Sequence, residues 1–151
     1  MSVKMRIPSK FPQFEKETVL ILVTGFQTAD LYLAADGEMN KIKSLRVPRR
    51  RYSDKEGFFR GTVSSGSARE YPKQAVLEEF LKLLEAELKT ISKKEKISSI
   101  FLFSPDYAMN EIKSVFPSAL KNKIKFSIKG NYSHYSQLEL LEKVDRKRKK
   151  L

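Results

Sequence analysis

The chain has 151 residues, 40% of them hydrophobic and 32% charged, enough for one domain with its own core, too short for two ordinary ones and too apolar for a disordered chain. Thirty Lys and Arg stand against eighteen Asp and Glu, a net charge of +12, which favours polyanionic partners: RNA, DNA or an anionic membrane surface. The absence of cysteine excludes disulfides and thiolate chemistry, and one histidine, His134, excludes multi-histidine metal sites.

Residues 1–17 read as a polar, extended lead containing Pro8 and Pro12, without the apolar stretch of a secretory signal. "TVLILVT" (Thr18–Thr24) is continuous, β-branched and apolar, the pattern of a strand buried on both faces. The longest apolar run, "TVLILVTGF", falls far short of a membrane span, so the expected location is the cytoplasm, with no membrane partner. "LYLAA" is a second strand, and Asp36-Gly37 is a hairpin signal. After it Met39, Lys41, Lys43 and Leu45 alternate with Asn40, Ile42, Ser44 and Arg46, predicting a half-exposed strand with one mixed face. These three strands make a β-meander.

The stretch "VPRRRYSDKEGFFRGTVSSGSAREYP" (Val47–Pro72) follows. Its cations are Arg49, Arg50, Arg51, Lys55, Arg60 and Arg69, interleaved with Tyr52, Phe58 and Phe59. Guanidinium groups pair with phosphates and aromatic rings stack on unpaired bases, so a basic loop over 48–71 is a candidate RNA contact. The competing reading is a surface loop whose aromatics pack back on the sheet. "GTVSSGS" is no P-loop, because no Lys-Ser or Lys-Thr follows its second glycine.

Beyond Pro72 the period changes. Leu77, Phe80, Leu81, Leu84, Leu88 and Ile91 recur at helical spacing and predict a long helix with a core-facing stripe. "ISSIFLFS" (Ile97–Ser104) is a buried strand. "PDYAMNEIKSVF" is a short helix opened by Pro105, and "PSALKNKI" adds another turn. "KIKFSIKGN" alternates Ile124, Phe126 and Ile128 with lysines, a strand with one solvated face. "SHYSQLELLEKV" places Leu138, Leu141 and Val144 at helical spacing, with Ser133 or Ser136 as its cap. The basic end, residues 146–151, is expected to fray. Lys143, Arg146, Lys147, Arg148, Lys149 and Lys150 form a basic tail that suits electrostatic contact with nucleic acid, and equally a solvated helix end.

The expected architecture is α/β: a mixed five-stranded sheet, a β-meander followed by βαβαβα order, with helices packed on it. Residues 18–145 form the single domain.

This order, with "VLILVTGFQTADLYLAADGEMNKIKSLRV", "AVLEEFLKLLEAEL", "SSIFLFSPDYAMNEIKSVFP" and "IKGNYSHYSQLELLEKV", resembles the middle domain of archaeal and eukaryotic class I peptide-chain release factors. It is also similar to the related bacterial host-attachment and release-factor-like proteins. The resemblance spans about residues 18–145 and implies a ribonuclease H-like fold. In the release factors a Gly-Gly-Gln tip, on the loop between the third strand and the long helix, promotes peptidyl-tRNA hydrolysis in the ribosome. Here that loop reads Gly61-Thr62-Val63-Ser64-Ser65-Gly66-Ser67, and Gly-Gly-Gln occurs nowhere in the chain. The resemblance therefore implies association with RNA or the ribosome, and the departure argues against peptide release.

The leading expectation is a non-catalytic, RNA-binding or ribosome-associated protein with no cofactor or metal. One alternative is a protein-interaction module with a basic surface. Another is a metal-dependent, ribonuclease H-like nuclease drawing on Asp30, Asp36, Glu78, Glu79 or Asp106, although its first strand carries no carboxylate. His134 has no evident nucleophile to activate, and Gly130-Asn131 reads as a turn.

Overall fold

The central strand sets the layering. In a computed structural model, which describes residues 4–25, 27–47 and 73–149, β2 (Thr18–Thr24) points Val19, Ile21 and Val23 to one side of a sheet and Leu20 and Leu22 to the other, all buried. It pairs antiparallel with β3 (Thr28–Ala35) and parallel with β5 (Ser99–Ser104). Outside β3 lies β4 (Glu38–Arg46), and outside β5 the parallel β6 (Ile124–Lys129). Asp36 and Gly37 both have positive φ, 47° and 79°, as a two-residue type I′ hairpin between β3 and β4 requires.

Among the described residues the sheet has six strands rather than the expected five. The extra one, β1 (Lys4–Arg6), pairs antiparallel with β4, so the order is β1-β4-β3-β2-β5-β6. Three residues are too short to show an alternation of their own, and their pairing comes from the edge that β4 offers. The rest of the polar lead is also structural, because Ile7, Phe11 and Phe14 are buried. The Gln13 amide ties this turn together, donating to the carbonyls of Pro8 at 2.9 Å and Phe11 at 3.0 Å.

Two cores flank the sheet. On one face lies α1 (Lys73–Lys94), with Val76, Leu77, Phe80, Leu84, Leu88 and Ile91 buried against Leu20, Leu22, Leu31, Ile100 and Leu102. A 3-10 turn (Asp106–Ala108), α2 (Met109–Ser114) and α3 (Ser118–Lys121) complete that layer. The opposite face is covered by α4 (Gln137–Lys149) together with the lead. There Phe101 stacks on Phe126 at 4.4 Å, and Phe14 meets Phe101 at 6.2 Å. A helix of 13 residues is about 20 Å long, too short to cover six strands alone, and the lead covers the remainder.

The mixed face of β4 is resolved by a bulge. Tyr32 pairs with Lys41, Leu31 with Lys43, and Ile42 is the extra residue. Before the bulge Met39 belongs to the α4 face; after it Leu45 packs on the α1 face. A second irregularity does the same on β6, where Ile100 pairs with Ile124 and Phe101 with Phe126. Ile124 therefore faces α1, and Phe126 and Ile128 face α4. One inserted residue reverses the side-chain parity of everything that follows.

In α4 the buried residues are Leu140, Leu141 and Val144, whereas Leu138, expected in the stripe, is 44% exposed. Ser136, not Ser133, is the cap. Its hydroxyl accepts from the Glu139 N–H at 3.2 Å, and its own N–H donates to the Glu139 carboxylate at 2.8 Å, a reciprocal capping box. The helix runs on through Arg146–Lys149, residues expected to fray.

Candidate nucleic-acid interface

Between the edge strand β6 and α4 lies an open groove of about 460 Å³. Its walls are Ser127–Lys129 on the strand and Lys143, Arg146 and Lys147 on the helix, with Tyr132 from the connecting turn. The helix pitch builds the second wall. Residues 143 and 147 stand one turn apart beside the buried stripe, and 146 follows on the outer side. Residue 148 lies 100° further round, so Arg148 falls on the other flank of the stripe, over the Phe14 ring at 5.5 Å. Lys149 pairs with Asp145 at 3.2 Å, one turn back.

The structure thus divides the basic end predicted from sequence. Arg146 and Lys147 join the groove, Arg148 packs on the lead and Lys149 is ion-paired. Sequence reasoning left out Lys129 and Tyr132 as site residues and counted Lys143 only as part of the tail. The regular lysines of "KIKFSIK" and the Lys143–Lys147 spacing were the available signals. Arg49, Arg50, Arg51, Tyr52, Lys55, Phe58, Phe59, Arg60, Arg69 and Lys150 lie outside the described residues.

The groove's electrostatics are one-sided. Lys129 follows Ile128 on the strand, so its side chain is directed to the sheet face that carries the 3-10 turn; there it pairs with Asp106 at 3.2 Å, both side chains exposed, a contact of small net worth in water. Among the described residues no carboxylate lies within ion-pair distance of Lys143, Arg146 or Lys147. Lys143 stands over the Tyr132 ring at 5.8 Å, and that ring meets Phe103 and Tyr135 edge-on. Gly130 makes this packing possible. It has φ 141°, and a Cβ there would fall 2.8 Å from Tyr132 Cε2.

The other candidate groups are occupied structurally. Asp30 accepts from the Ser44 hydroxyl at 2.7 Å and pairs with Lys41 at 3.8 Å. The Asp36 carboxylate accepts from the Lys16 N–H at 3.0 Å. Among the described residues no three acidic or histidine side chains gather as metal ligands. His134 is exposed and lies edge-on to Tyr135 at 5.1 Å. The Glu139 carboxyl is held below its usual range, first by the Ser136 N–H, then by the Ser136 hydroxyl, with a smaller contribution from His134. No helix of the described residues is long and apolar enough to cross a membrane.

No protein-family model matches this chain, and no curated protein does. Solved structures match it. The archaeal translation termination factor aRF1 superposes over 89% of the chain with a TM-score of 0.58 at 16% identity. The fold is release-factor-like. A second archaeal protein gives a TM-score of 0.55 over 87% of the chain at 14% identity. The chain spans about a third of each, 35% and 34% of their lengths. At such identity the likeness is one of fold, and it agrees with the α/β architecture expected from the order of elements.

Proposed function

We propose that this chain is a non-catalytic RNA-binding domain that associates with the ribosome. It corresponds to the middle domain of a release factor without the hydrolytic tip. The observation that carries this reading is the convergence of Lys143, Arg146 and Lys147 on one groove, in a chain of net charge +12. Charges so arranged attract phosphates and release counterions. The release-factor-like fold supports the ribosome as the source of that RNA, and the missing Gly-Gly-Gln argues against peptidyl-tRNA hydrolysis. The segment 48–71 supplies a second basic contact in this reading. The described chain breaks off at Val47, whose N–H donates to the Gln27 carbonyl at 2.9 Å. That is the sheet end at which β6 finishes, because Ser104 pairs with Lys129. Four strand spacings separate β4 from β6, about 19 Å.

Co-sedimentation with ribosomes and with free structured RNA tests the proposal. Binding is expected at low salt and is expected to fall by orders of magnitude over a modest salt increase. Replacing Arg49, Arg50 and Arg51 by Ala should weaken it. No sedimentation with either RNA at low salt would end the RNA reading and leave a protein partner as the better account of the basic surface.

A further inference from the structure

We infer that the β6–α4 groove holds the phosphate backbone of single-stranded RNA and makes no base-specific contact. This inference rests on the RNA-binding reading above and narrows its ligand. Three features carry it: the spacing of the cations, the shape of the groove and the state of its aromatic ring.

Lys143 and Lys147 are one helical turn apart, about 6 Å along the axis, close to the separation of neighbouring phosphates along one strand. Lys129 lies on the strand wall but turns its ammonium to Asp106, so a backbone passing between strand and helix meets the cations of the helix wall, Lys143, Arg146 and Lys147. The groove, about 460 Å³, is nucleotide-sized, within the roughly 300–1,000 Å³ of small-ligand clefts. A duplex presents its backbone only along the ridge of a convex surface, with the partner strand and bases behind it. A single strand can seat its backbone between β6 and the helix packed beside it.

Single-strand binders commonly add affinity by stacking bases on aromatic rings. Tyr132 lines this groove and is half-buried. The Lys143 ammonium stands 5.8 Å from its centroid, Phe103 and Tyr135 meet it edge-on at 5.2 and 4.8 Å, and Gly130 lies close against the ring. Its task is to position the Lys143 ammonium by cation–π attraction. A groove that reads phosphates and stacks no base discriminates neither sequence nor, at this point, ribose from deoxyribose.

Fluorescence anisotropy with the full chain tests this. The probes are short labelled single strands of oligo-U, oligo-A and mixed RNA, a mixed DNA strand, and an RNA duplex of the same length. All four single strands should bind within about threefold of one another, and the duplex at least about tenfold more weakly. The single-strand salt slope should drop by about 0.7 for each groove cation removed. Lys143→Glu, Arg146→Glu and Lys147→Glu together should weaken single-strand binding by at least about tenfold, with circular dichroism unchanged. Equal affinity for duplex and single strand would overturn the inference without use of any variant. So would a base preference beyond about tenfold. Single-strand binding retained in the folded triple variant would remove the groove as the site while leaving the RNA reading intact. Failure of the wild-type chain to bind any probe would overturn both.

Discussion

Tyr32 is 4% exposed in the middle of β3, with the Lys41 ammonium 5.7 Å from its ring centroid. Burial, and secondly the neighbouring Asp30 charge, push its phenol from 10.0 up to about 12. The folded state therefore keeps a proton that the unfolded chain gives up near pH 10. Stability from this group is full below pH 10 and falls as pH rises towards 12, by about 2 kcal/mol at the upper end. A near-ultraviolet titration should show a late tyrosinate step towards pH 12, and Tyr32→Phe should remove it. A late step that survives Tyr32→Phe, or none in the parent, would show that Tyr32 is not the group held neutral. At this scale the sequence was least legible. It offered Tyr32 only as part of the strand "LYLAA"; Asp30 lies two residues back on the same strand, but Lys41 reaches it only through register with β4.

Among elements, α1 was readable in full because one stripe of large aliphatics and Phe80 dominates it. The α4 helix was readable only in part. Leu138, Leu140, Leu141 and Val144 allow two stripes, and the packing decides for Leu140 over Leu138. That choice follows from where the Ser136–Glu139 box starts the helix and from the sheet face it meets. The bulges of β4 and β6 were invisible for a similar reason: an extra residue in a strand has meaning only against its partner. Deleting Ile42, the unpaired residue, should leave both flanks in register, with Met39 opposite Ala34 and Leu45 opposite Ala29, and remove only its packing on the α1 core. The expected result is a cooperative thermal transition at a lower midpoint, with little change from deleting Glu95 in the exposed turn after α1 as the control. Loss of a cooperative transition would mean that β4 needs the bulge itself to fit the sheet.

At the scale of the molecule, the N-terminal lead is the largest departure from expectation. Its charges and prolines suggested an extended leader, yet Phe14 is 3% exposed and touches both the sheet and the end of α4. Phe14→Ala should destabilise the fold by about 3 kcal/mol, in the range of buried Phe truncations, measured by denaturant midpoint at constant slope. A change below about 1 kcal/mol would mean that the lead merely rests on the sheet. Because Arg148 lies over the same ring, the variant should also loosen the last turn of α4, next to the groove that Arg146 and Lys147 line. The two ends of the chain are thus coupled through one aromatic side chain, and the state of the lead bears on the proposed RNA contact.

The order of elements, the β2 and β5 core strands, the Asp36-Gly37 hairpin, the long helix and the strong positive charge were determined by the sequence itself. Each is written in a local signal: hydrophobic period, turn chemistry or composition. Only the tertiary structure decided the sixth strand, the two bulges, the buried lead and the groove. Those features depend on pairings between residues far apart in the chain. Lys143 and Lys147 come to line a groove with β6 only when the strand turns at Gly130 and α4 folds back beside it, and charge counted along a sequence does not say which charges a surface will gather.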